Sequence, residues 1–142
     1  MSSSLVETVD VKAPVSLVWE LWSDVTRWPR FLTHVQRVDR LDDGRFTWWL
    51  ALPGTDKYFT AELTEVVPEQ RIAWKVTAGT RHAGVVTFHR LSDTTSRVTL
   101  QIEYEPEGLV EHLGALTNLD RTVANYDLGQ FQHMAEELAS PS

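Results

Sequence analysis

Between Leu109 and Ala139, large apolar residues recur at Leu109, Leu113, Leu116, Leu119, Val123, Tyr126, Phe131, Met134 and Leu138. Most steps are three or four residues, which aligns these side chains along one stripe of a helix. Glu111, Asn118, Arg121, Asp127, Gln132 and Glu136 fall on the other side and are expected to sit in water. A stripe this long needs a broad apolar surface to lie on. The helix holds two glycines, Gly114 and Gly129, each costing about 1 kcal/mol against alanine. Gly114 lies beside Thr117 and Asp120, which can cap a restarted helix, so a kink or break is predicted over residues 114–117. The piece before it, with Leu109, Val110 and Leu113, would be free to act as a flap.

The upstream chain supplies the surface. Leu5 to Val11 alternates apolar and polar residues and reads as a strand. Ala13-Pro14 opens a helix whose apolar stripe is Val18, Leu21, Trp22 and Val25. Ser23 and Asp24 mark a break and a fresh cap, and Trp28-Pro29 interrupts again, because a residue before proline avoids the helical region. Two short helices are therefore expected, not one long one. From Val35 the period changes to two. Runs at Val35–Leu41, Arg45–Leu52, Tyr58–Val66, Arg71–Thr77, His82–Leu91 and Arg97–Tyr104 are separated by turn signals. These are Asp42-Asp43-Gly44, Pro53-Gly54-Thr55-Asp56, Pro68-Glu69-Gln70, Ala78-Gly79-Thr80 and Asp93–Ser96. Loops this short join antiparallel neighbours. The pattern defines an α+β fold: a strand, two short helices, about six antiparallel strands and a long helix that covers one face.

Several phrases carry a resemblance. They are Asp24-Val25-Thr26-Arg27-Trp28-Pro29-Arg30-Phe31, Ala61-Glu62-Leu63-Thr64-Glu65, Pro68-Glu69-Gln70-Arg71-Ile72-Ala73-Trp74, Gly84-Val85-Val86-Thr87-Phe88 and Tyr104-Glu105-Pro106-Glu107-Gly108. In this order they resemble the polyketide cyclase/dehydrase branch of the START-like (SRPBCC, birch-pollen-allergen-type) superfamily, from about Val6 to Leu138. The resemblance implies a helix-grip fold, a curved antiparallel sheet of about seven strands wrapped around a long C-terminal helix, with an apolar cavity between them. It also implies a choice of roles, since the superfamily holds cyclases, aromatases and carriers of lipids and quinones.

Bulk properties narrow the choice. A chain of 142 residues suits one domain spanning residues 1–142. Cysteine is absent, which excludes disulfides, thiolate metal sites and a cysteine nucleophile. The net charge of -7 repels phosphate backbones and anionic membranes. No run approaches the roughly 18 apolar residues that span a bilayer, and Met1 to Ser4 lacks the regions of a signal peptide. A cytoplasmic monomer or homodimer is expected, without cofactor, nucleic-acid partner or membrane insertion. The five histidines show no metal-ligand spacing, no glycine-rich phosphate loop is present, and the Gly-x-Ser-x-Gly elbow is missing.

Six tryptophans in this length exceed what a small core requires. Trp28, Phe31, Trp48, Phe59, Trp74, Phe88, Tyr104 and Tyr126 are the rings assigned to a ligand cavity, against the plainer alternative that they only fill the core. Trp48 and Trp49, being adjacent on a strand, point to opposite faces, and Trp48 shares the buried one with Phe46 and Leu50. His82 is a candidate acid or base, and the Tyr104 hydroxyl a candidate donor to a carbonyl. Arg71, Arg81, Asn118 and Glu62 are further polar candidates, with Glu62 as readily paired to Lys57 or Arg71 at the surface. Two roles follow. An enzyme would fold a poly-β-keto chain in the cavity and assist ring closure or loss of water, and a carrier would hold an apolar metabolite with no reacting group. A ligand-free stress or interaction protein with a filled core is the third alternative.

Overall fold

The computed structural model describes residues 3–32, 35–52, 55–78, 82–104 and 110–140, with side chains described for these except 3, 50–52, 55–57, 82, 104 and 110–123. The elements in order are β1 (Ser3–Val11), α1 (Val15–Ser23), a short 3-10 helix (Val25–Arg30), β2 (Val35–Asp42), β3 (Arg45–Leu52), β4 (Thr55–Val67), β5 (Arg71–Ala78), β6 (His82–Arg90), β7 (Ser96–Tyr104) and α2 (Val110–Ala139). The strands form one sheet in the order β1-β7-β6-β5-β4-β3-β2. Every adjacent pair is antiparallel. Strands β2 to β7 thus meander, and β1 closes onto the free side of β7.

Alternation decides which face is buried. Leu5, Val38, Phe46, Trp48, Ala61, Ile72, Trp74, Val76, Val86, Phe88, Val98 and Leu100 are buried and fall at every second position of their strands. They make the concave face, over which α1, the 3-10 helix and α2 lie. Register shifts between Thr60 and Ala61 and between Leu63 and Glu65 bend β4 against β5, as bulges do. Thr55 and Asp56 extend β4 beyond the turn expected there. Gly44 takes φ +88° between β2 and β3, a left-handed turn conformation that glycine adopts freely.

The first helical region breaks where the sequence indicates. Asp24 ends α1, and its Oδ1 accepts from the Thr26 backbone N–H at 3.1 Å, capping the 3-10 helix. The indole N–H of Trp28 donates to the Trp22 carbonyl at 2.9 Å, folding the 3-10 helix back beneath α1. Buried Ser96 donates to the Ala13 carbonyl at 2.9 Å and joins the end of β1 to the start of β7.

The long helix departs from its expected form in two ways. It is one α-helix through residues 114–117, with no restart. A glycine penalty of about 1 kcal/mol is small beside what an apolar face gains by packing. Its buried stripe in the described part is Ala124, Asp127, Leu128, Phe131 and Ala135, while Tyr126 is 55% exposed and Leu138 is exposed too. The expected stripe followed the largest apolar residues. Where a helix lies close on a sheet, small residues take the contact positions, so Ala124 and Ala135 define the face and Tyr126 is turned about 100° from the face-defining residue next to it in sequence.

Candidate functional site

The concave face carries a continuous chain of rings. Trp19 meets Phe88 at 5.6 Å between centroids, and Phe88 meets Trp22 at 6.4 Å. Trp22 touches Trp28 at 5.3 Å, Phe31 at 4.7 Å and Phe131 of α2 at 5.2 Å. Trp28 then reaches Trp48 at 6.0 Å and Trp74 at 5.6 Å. Trp48 stacks on Phe59 at 5.2 Å, with planes 11° apart. Most of these contacts are tilted or edge-on, the arrangement ring quadrupoles favour.

Packing loosens along this chain. On β5 the exposure rises from 1% at Ile72 to 9% at Val76, and on β7 from 0% at Val98 to 8% at Leu100, with Ile102 half-buried beyond it. The Phe88–Trp22–Phe131 end is closed core. The other end, with Phe59, Trp74, Val76 and Ile102, holds the rings and branched side chains that retain some exposure on the concave side. His82 and Tyr104 belong to this end. They are register partners in β6 and β7, each two residues from Gly84 and Ile102, which partner each other and, on either side, Trp74 and Leu5. The backbone thus sets both candidates side by side on the alternation of the concave face.

Asp127, expected on the water-facing side of the long helix, is buried instead. Asp127 of α2 is 4% exposed and is the only buried ionisable side chain among the described residues. A carboxylate takes a position in an apolar layer at high cost unless it has partners or a task. The signal was available in the spacing of Ala124, Asp127, Leu128 and Phe131, at i, i+3, i+4 and i+7, once small residues are admitted to the stripe. Direction along α2 is fixed by two bonds to the β1 side. Glu136 accepts from the Lys12 backbone N–H at 3.0 Å, and Asn125 donates to Glu7 at 3.5 Å. Asp127 therefore lies close to the level of Glu7, near the middle of β1.

The remaining candidates lie elsewhere. Trp28, Phe31, Trp48, Trp74 and Phe88 are buried on the concave side and Phe59 is half-buried there. Tyr126 stands on the exposed side of α2. Arg71 bonds Glu65 at 2.8 Å rather than Glu62. Glu62 is exposed on the convex face, opposite Arg45 and Lys75. Trp49 also lies on that face, its N–H donated to Asp39 at 2.8 Å and its ring under the Arg37 guanidinium at 4.7 Å. Arg81 and the side chain of Asn118 lie outside the described residues. Among the described residues no group of three histidine or acidic side chains is arranged to hold a metal ion, and no helix is long and apolar enough to cross a membrane.

A curved seven-stranded antiparallel sheet with a long C-terminal helix and two short ones is the helix-grip architecture of START-like proteins. The family model described as polyketide cyclase / dehydrase and lipid transport matches residues 11–131, and the chain belongs to that family. It is 33% identical over 136 residues to an uncharacterised 17.2 kDa protein of Streptomyces lincolnensis, covering 95% of this chain and 91% of the relative. Its fold matches the ZhuI aromatase/cyclase of a Streptomyces species with a TM-score of 0.75 at 18% identity, over 92% of this chain and 93% of the other. A START superfamily protein of Mycobacterium smegmatis matches with a TM-score of 0.72 at 15% identity, over 95% and 98% of the two chains.

Proposed function

We propose that the protein binds an aromatic or polyketide-derived small molecule between the concave face of its sheet and α2, and that it promotes ring closure or loss of water in that ligand. The observation that carries the reading is Asp127, a buried carboxylate set over a ring-lined face whose packing loosens toward His82 and Tyr104. An apolar site with a few placed polar groups is the normal form of a small-molecule site. Membership of the polyketide cyclase / dehydrase family and the likeness to an aromatase/cyclase support the same class of ligand.

The chemistry is as follows. The rings hold a flexible β-keto chain with its reacting carbons close together, which lowers the entropic barrier to ring closure. In the dehydration of a β-hydroxy carbonyl, a base removes the proton α to the carbonyl, an acid protonates the departing hydroxyl, and a carbon–carbon double bond and one water result. Asp127 serves as the base and the Tyr104–His82 pair as the donors to carbonyl and hydroxyl.

The test is turnover of a β-hydroxy thioester of a short aromatic polyketide mimic, followed by mass spectrometry. Wild-type protein is expected to yield a product lighter by one water. The Asp127→Asn variant is expected to bind the thioester and to lose about 10^2- to 10^4-fold in rate. Binding without any turnover by the wild type would favour the carrier role, and absence of binding would overturn the reading altogether.

A further inference from the structure

The contact between Gly84 and Trp74 has a consequence for which ligands fit. These two residues are partners in the β5–β6 register and both are buried. A Cβ placed on Gly84 would lie 2.2 Å from Cζ2, 2.5 Å from Cε2 and 2.7 Å from Cη2 of the Trp74 indole. Carbon atoms in contact stay about 3.5–4.0 Å apart, so the benzo edge of the indole rests directly on the glycine backbone. Side chains on a sheet ordinarily stand away from it. Here the ring lies down across β6, and it can do so only because residue 84 has no side chain. The Trp28 ring is set at 71° to this indole, with 5.6 Å between centroids.

We infer that Gly84 is a positioning residue that sets, through Trp74, the size of ligand the concave face accepts. The inference rests on the proposed binding role. With glycine at 84 the indole lies against the backbone of β6. With any larger residue the indole must move off β6 and take up room on the concave face beside Trp28. The chemical class selected is a fused-ring or multi-ring aromatic, and the Gly84–Trp74 pair determines how many rings enter.

The experiment is calorimetric titration of 2-naphthol and 2-hydroxyanthracene, two-ring and three-ring probes, into wild type, Gly84→Ala, Trp74→Leu and the double variant, each checked for folding by circular dichroism. Gly84→Ala is expected to weaken the three-ring probe relative to the two-ring probe by about tenfold or more, the range that one methylene commands in an apolar pocket. Trp74→Leu is expected to shift the same ratio the other way. The double variant is expected to behave as Trp74→Leu alone, because the atoms that Cβ would strike are gone. An unchanged ratio in both single variants, with wild type binding both probes, overturns this inference and leaves the binding role standing. Should Gly84→Ala not fold, an unchanged ratio in Trp74→Leu, or a double variant that also fails to fold, overturns it. Wild type binding neither probe overturns the binding role and the inference together.

Discussion

Two glycines of the same chain are predicted to respond to alanine in opposite directions. At Gly84 the new methyl group meets the Trp74 indole. At Gly129, exposed within α2, it meets nothing within 4 Å. Glycine in a helix interior costs about 1 kcal/mol against alanine, because the unfolded chain loses more freedom on folding. Gly129→Ala is therefore expected to raise stability by about 0.5–1 kcal/mol, seen as a higher denaturant midpoint with unchanged slope. A lowered midpoint would mean that α2 is held by something other than its described face. Asp127 belongs to the same scale of reasoning. Its neighbour Tyr126 is larger and more apolar than Ala124 and Ala135, so a reading by size puts Tyr126 on the face and assigns the acid to water. Its burial depends on how closely Ala124 and Ala135 bring the helix to the sheet, which no single residue announces.

At the level of elements, the strands were legible and the helix faces only partly so. A period of two has one phase to settle: Lys75 and Val76 or Val98 and Thr99 settle it by their polarity, and Trp48 is told from Trp49 by sharing its face with Phe46. A helix has a continuous angle, and an error of one residue rotates the face by about 100°. The expected restart at residues 114–117 failed for a different reason, since local propensity was weighed without the packing energy of thirty helical residues. Local capping chemistry and packing agree at the junction after α1. There Asp24 both stops one helix and caps the next, its carboxylate taking the Thr26 N–H at 3.1 Å and the Thr26 hydroxyl at 2.5 Å. Asp24→Ala is expected to cost about 1 kcal/mol, measured by thermal or denaturant unfolding. The 3-10 helix also holds Trp28 against Trp22, Trp48 and Trp74. The same variant should therefore change the near-ultraviolet dichroism of the tryptophans, and an unaltered spectrum would argue that the cap does not position this ring.

For the molecule as a whole, the joint that closes the sheet across the greatest separation in sequence is the one between its first strand and its last. β1 bonds to β7 alone, and across that joint Arg97 grips Asp10 through Nε–Oδ1 at 2.6 Å and Nη2–Oδ2 at 3.2 Å. The Arg97 hydrogen bond holds the Asp10 carboxyl below its ordinary value, against an opposing effect of desolvation. Asp42 is lowered in the same way by Arg45. A carboxyl lowered in the folded state contributes stability above its unfolded pKa of about 3.9 and loses it as the pH falls through the lower folded value. The two pairs nevertheless differ. Asp42 and Arg45 lie at i and i+3 across a turn and remain near each other in the unfolded chain, which cancels part of their effect. Asp10 and Arg97 are 87 residues apart and meet only when the sheet closes. Asp10→Asn is thus expected to lower the unfolding midpoint at neutral pH by more than Asp42→Asn does. The difference from wild type should shrink as the pH drops below about 4 and at high salt, which screens an exposed pair. Unfolding curves of the three proteins between neutral and acid pH decide it. Equal losses for both variants would mean that the β1–β7 joint is carried by its backbone ladder and by Ser96, and that the ion pair merely decorates its surface.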